Sequence, residues 1–124
     1  MAYGNLLTDV VQSSTTGTPP VFKDGNGTEV GTLCRAWLQF DGSGGSVVIK
    51  GSYNISSVVR TALGRWSVTF TNPMPDANYS VSGQVGTVGS FLIVSAWSST
   101  VVSIASYANS TYYDNNPVTI AIHR

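Results

Sequence analysis

Three observations predict an all-β chain: apolar and polar residues alternate with period two, no window carries helical spacing over three turns, and short apolar runs are punctuated by Gly, Pro and Asn turns. Roughly eight such runs without a helix point to an antiparallel β-sandwich or jelly-roll-like domain. The domain is predicted over residues 32–124, behind an extended N-terminal arm over residues 1–31.

The arm differs in kind from the rest of the chain. Pro19-Pro20 is incompatible with a helix and with a central strand, and apolar residues come in pairs rather than in a period. One short strand is expected near Val10-Val11 and a turn at Asp24-Gly25-Asn26-Gly27. Leu6, Leu7, Val10, Val11, Val21 and Phe22 make this arm too apolar to be solvated throughout, so it is expected to anchor the chain on a partner.

Cys34, Ala36, Leu38 and Phe40 then alternate with Arg35, Trp37 and Gln39, which reads as a half-buried strand. A Gly/Ser turn over residues 41–46 leads to Val47-Val48-Ile49, and Tyr53 to Val59 continues the apolar signal. Trp66, Val68 and Phe70 alternate with Arg65, Ser67 and Thr69. TNPMPDAN, with two prolines and an Asp, ends that ladder. Further strands are expected at 79–85, 91–97 and 101–107. A polar loop over 109–116 precedes a closing strand in which Val118, Ile120 and Ile122 oppose Thr119, Ala121 and His123.

Composition narrows the function. The chain has 124 residues, enough for one core without disulfide staples. Six basic and six acidic residues cancel, and only 10% of residues are charged, so neither nucleic acid nor membrane insertion is expected. Ser, Thr, Asn and Gly fill the solvent positions instead, as on extracellular or particle-surface β proteins. The N-terminus lacks the pattern of a secretory signal, and no apolar run approaches the ~20 residues of a membrane span. Asn-x-Ser/Thr triplets at Asn26, Asn54, Asn78 and Asn109 are therefore not read as glycan acceptors.

The inventory for catalysis is thin. The single His, His123, can build neither a His-paired nucleophile nor a multi-histidine metal site, and no metal or other cofactor is expected. Asp9, Asp24, Glu29, Asp41, Asp76 and Asp114 are scattered in or beside turns, where Asp normally bonds its own backbone. A hydrolase would require two of them to converge across a cleft. Cys34 reads as a small buried hydrophobe rather than a nucleophile. DGSGGS lacks the Lys and the following helix of a phosphate loop and reads as a hairpin connection.

Association is better represented. With Cys34, Ala36, Leu38 and Phe40 inward, Arg35, Trp37 and Gln39 face outward, and Trp beside Arg suits a subunit interface. A β-bulge turning Trp37 inward would make it core instead. FLIVSAW is apolar on both faces, with Phe91, Ile93 and Trp97 on one and Leu92, Val94 and Ala96 on the other, so it needs covering twice. Leu92 and Val94 thus join Arg35, Trp37 and Gln39 as interface candidates. The loop YANSTYYDNNP offers Tyr107, Tyr112, Tyr113, Asp114 and Asn115 as receptor-binding candidates, because tyrosines among short amides suit adaptable and sugar-binding surfaces. The same tyrosines could instead prop up the end of the sandwich.

Two segments carry a resemblance. GTLCRAWLQFDGSGGSVVIKGSYNISSV and GRWSVTFTNPMPDANYSVSG are similar to a segment recurrent in tail-fibre and other virion-surface proteins of tailed bacteriophages. Cys34-Arg35-Ala36-Trp37, Phe40, Gly42, Ser52-Tyr53-Asn54-Ile55-Ser56, Val68, Phe70, Met74-Pro75 and Tyr79 hold the places of that pattern, and the likeness runs over residues 19–83. It implies a β-rich homotrimer on the outer surface of a phage particle, assembled in the host cytoplasm, and it transfers no catalytic or ligand residue. Tail-fibre attachment to the host is the leading expectation, with a host surface glycan as a further partner. Fibre proteins place such a domain after a long shaft. Here it follows a short arm, so the alternative is capsid decoration, a cement or head-fibre protein docking on the shell through that arm. From another class, the alternative is a monomeric carbohydrate-binding module with Trp37 or Trp97 as stacking platform.

Overall fold

The computed structural model describes residues 4–16 and 18–124. The chain divides between Leu33 and Cys34 into two units, Met1–Leu33 and Cys34–Arg124.

In the first unit a short hairpin pairs β1 (Phe22–Lys23) with β2 (Glu29–Gly31). Its turn forms as the sequence predicts. The Asp24 carboxylate accepts the Asn26 and Thr28 amides, both at 2.9 Å, and the Gly27 amide donates to the Asp24 carbonyl. No strand forms at Val10-Val11, contrary to expectation, because no second segment pairs with it there. Leu6, Leu7, Val10, Val11, Val21 and Phe22 are all exposed.

The second unit is an all-β sandwich of two antiparallel sheets. The four-stranded sheet runs β4 (Val48–Tyr53), β3 (Cys34–Asp41), β11 (Val118–His123), β7 (Ser80–Val85). The five-stranded sheet holds β5 (Ile55–Ala62), β6 (Arg65–Phe70), β9 (Val101–Ala108) and β8 (Phe91–Trp97). Its fifth strand, β10 (Thr111–Tyr112), lies beyond the end of β6 on the same flank of β9. That short strand sits in the segment expected to be a plain loop.

Period-two alternation does what it predicts at the centre of both sheets. Ala36, Leu38 and Phe40 of β3 and Val118, Ile120 and Ile122 of β11 pack against Trp66, Val68 and Phe70 of β6 and Val102 and Ile104 of β9. Phe40 meets Trp66 edge to face, with ring centroids 5.3 Å apart. Met74 and Tyr79 close one end of this core, and the Tyr79 hydroxyl donates to the Ser98 carbonyl at 3.0 Å. Burial of the Tyr79 ring pushes its phenol pKa up.

Three expectations fail within these strands. Cys34 is exposed, not buried, because the β3–β11 register slips between Ile122 and His123 and the inward set begins at Ala36. Leu92 and Val94 pack on the core and are not part of an outer interface. Trp97 does not share the outer face with Phe91 and Ile93. The β8–β9 register shifts between Val94 and Ala96, which puts Trp97 opposite the buried Val102 at the end of the sandwich, half exposed.

At the first crossing between the sheets the chain passes through a single residue. Asn54, in the left-handed region at φ 57°, separates β4 in one sheet from β5 in the other. Its Nδ2 donates to the Arg35 carbonyl at 3.1 Å and the Asn72 carbonyl at 3.0 Å.

Strand directions give the sandwich two distinct ends. Cys34 opens β3 directly beside His123, which closes β11, so the chain enters and leaves this unit at one pole. The segments 41–47, 63–64, 86–90 and 109–117 lie at the other, about 25 Å away along the eight residues of β3. There the Gly42 amide donates to the Asn115 carbonyl, and the Gly86 amide donates to the carbonyl of Pro117, which follows a cis peptide bond.

Candidate binding surfaces

Because the inward positions are filled by the core, function falls to the two outer sheet faces and the far pole. On the four-stranded sheet Trp37 faces outward and is 44% exposed, which decides against a core position. Its ring lies over Gly51 of β4, where a Cβ would come within 3.1 Å of the indole. Tyr53, cross-strand from Trp37, is 60% exposed. On the other flank Trp37 pairs with Ala121, beyond which Ser82, Gly83, Gln84, Thr119, Ile120 and Ala121 line a shallow depression of about 390 Å³. Gln39 is exposed on the same face, and Arg35 is half-buried at the start of β3.

The tyrosine-rich segment splits into two groups. Asn115 is buried, bonded to the hydroxyls of Ser106 and Thr87, and so is not available to a receptor. Asp114 is also committed. Its carboxylate accepts from Arg60 Nε at 3.0 Å and Nη2 at 2.8 Å, and from the Gly64 amide at 2.7 Å. These hydrogen bonds, Arg60 foremost, hold the Asp114 carboxyl below the ordinary carboxylate range. Both residues brace the far pole instead of facing a ligand. Tyr113 is 43% exposed at the same end.

Tyr107 and Tyr112 do something else. Both stand on the outer face of the five-stranded sheet, where Tyr112 of β10, Tyr107 of β9 and Phe91 of β8 are successive cross-strand neighbours. Ring centroids are 4.9 Å apart from Tyr112 to Tyr107 and 5.7 Å from Tyr107 to Phe91. The Arg65 guanidinium lies over the Tyr112 ring, 3.9 Å from its centroid. Ala105, beside Tyr107 on the strand, is flanked cross-strand by Arg65 and Ile93 and forms a small floor between them.

Sequence reasoning missed Arg65 and Phe91 as members of this row. Alternation places each on an outer face, but only the pairing of β9 with β6, β8 and β10 brings them to one level. The turn carboxylates behave as their sequence context predicts: Asp41 and Asp76 accept the amides of Ser43 and Asn78. Asp76 also pairs with Arg124 at 2.6 Å. Among the described residues no group of three His, Cys, Asp or Glu side chains converges as a metal site would require. No family model, no curated protein and no solved structure matches this chain.

Proposed function

We propose that this chain is a structural protein of a tailed-bacteriophage virion, a fibre-type surface domain that assembles as a homotrimer and contacts the host without catalysis. The observation that carries the reading is the Trp37–Tyr53 patch: two large aromatic side chains side by side on an outer sheet face, 44% and 60% exposed. Such a patch is costly to leave in water and is the usual anchor of a protein interface. The likeness of residues 19–83 to phage surface proteins supplies the setting. Light scattering of the purified chain across a dilution series tests it: a stable trimer is expected, and a monomer at all concentrations overturns it.

Within the virion, the exposed Leu6, Leu7, Val10 and Val11 favour an arm that docks on another particle protein. This suits capsid decoration as well as a fibre. Incorporation of the chain into tail-less heads in vitro would favour decoration. A second reading, a carbohydrate-binding module, is favoured by the flat seat of Trp37 over Gly51 beside the Gln84 and Thr119 depression. A monomer that binds neutral oligosaccharide through Trp37 would establish it instead.

A further inference from the structure

The row on the five-stranded sheet has a chemistry of its own. Tyr112, Tyr107 and Phe91 meet edge to face, with centroids 4.9 and 5.7 Å apart and ring planes inclined by 67° and 65°. They form a stepped aromatic row about the length of a disaccharide, in which Phe91 is exposed and the two tyrosines are half-buried. Pyranose C–H faces pack on such surfaces, and the two phenol hydroxyls supply hydrogen-bonding tips. At one end stands Arg65, which pairs with no carboxylate among the described residues. The carboxylates at this end of the sandwich are already engaged: Asp114 is taken by Arg60 and Gly64, and Asp41 by Ser43 and Asn116. Arg65 is held in place by the Tyr112 ring, so its orientation is set before any ligand arrives. A fixed, unneutralised guanidinium presents a planar fork matched to a carboxylate.

We infer that this row is a binding site for a carboxylated sugar, with the carboxylate on Arg65 and the sugar rings along Tyr112, Tyr107 and Phe91. The inference rests on the host-contact reading, and it gives that contact a site and a ligand class. Position agrees with it. The row lies at the far-pole end of β8 and β9, opposite the pole where the chain enters at Cys34, so a domain held at its entry pole presents the row away from the anchor. One such site is weak, and several copies in one assembly multiply it through avidity.

Uronates and sialates share the required carboxylate, and the test separates them. The full chain is titrated with trigalacturonate and with 3′-sialyllactose, using maltotriose and lactose as neutral counterparts, and followed by NMR. At least one acid is expected to shift the signals of Phe91, Tyr107 and Tyr112 and to bind about tenfold or more tightly than its neutral counterpart. Arg65→Gln is expected to abolish that preference, Arg65→Lys to restore it only in part, and Phe91→Ala to weaken binding of both classes. Preference for trigalacturonate names a uronate, and preference for sialyllactose a sialate. Equal binding of acid and neutral sugars, or shifts confined to Trp37 and Tyr53, overturns the inference. Solution mass is read on the same samples: a trimer that ignores both acids sinks this site alone, while a monomer that binds them keeps the site and sinks the virion reading.

Discussion

Asn54 and Asn72 grip each other reciprocally. The Asn72 amide donates to Asn54 Oδ1 at 2.7 Å, and Asn54 Nδ2 donates to the Asn72 carbonyl at 3.0 Å while also reaching Arg35. Asn54 thereby closes the corner between the sheets and supplies the left-handed backbone that the corner needs. Its amide nitrogen is occupied on both hydrogens, which leaves the Asn54-Ile55-Ser56 triplet no free acceptor for a glycan.

Asn54→Ala is expected to destabilise the fold by about 2–4 kcal/mol, combining the lost hydrogen bonds with alanine's poorer tolerance of left-handed backbone than asparagine's. Asn54→Gly keeps the backbone and should cost about 1 kcal/mol less. Urea unfolding of the two variants measures the difference directly. Equal losses would show that the side-chain bonds alone hold the corner.

The Arg60–Asp114 pair predicts a pH dependence. A carboxyl whose folded pKa lies below its ordinary value of 3.8 adds stability at neutral pH. That contribution is complete above 3.8 and is lost as pH falls through the lower, folded value. Below about pH 4 the urea midpoint of the native chain should fall more steeply than that of Asp114→Asn, the two converging in acid. Parallel curves would mean that the pair, for all its geometry, adds nothing to stability.

Trp37→Ala is expected to weaken self-association by at least about 2 kcal/mol while leaving the fold intact, since the ring lies outside the core. Sedimentation across a dilution series reads the first effect and thermal unfolding the second. Unchanged assembly would move the interface away from this face.

Removing residues 1–33 is expected to leave a folded sandwich with its β circular dichroism and cooperative melting, because the unit beginning at Cys34 holds the whole buried core. Loss of the cooperative transition would show that the arm is needed for folding.

The alternations at 36–40, 66–70 and 118–122 are legible in the sequence because both neighbouring strands are present on either side and burial is enforced along their length. Legibility fades where pairing breaks off. Cys34 and Trp97 lie at register slips, which reverse the parity that alternation relies on. Alternation alone leaves Trp37 open between the core and the outer face, and its exposure across from Tyr53 and Ala121 places it on the outer face. Asn115 and Asp114 look like solvent-facing loop residues because nothing local reveals their partners, Ser106 nine residues earlier and Arg60 on a different strand. The Arg65–Phe91 row is invisible for the same reason: its members come from four strands.

The adjacency of Cys34 and His123 also decides how the sandwich bears load. Tension applied between these two ends peels β3 from β11 rung by rung, each hydrogen bond facing the force alone. Tension between Cys34 and a ligand held at the opposite pole runs along the strands and loads many rungs together in shear. A domain held at Cys34 and tugged at the row of rings would therefore meet the tougher of the two directions. Single-molecule pulling through the exposed Cys34 should unfold the chain at clearly lower force from Arg124 than from a handle in the 86–90 turn; equal forces would refute this.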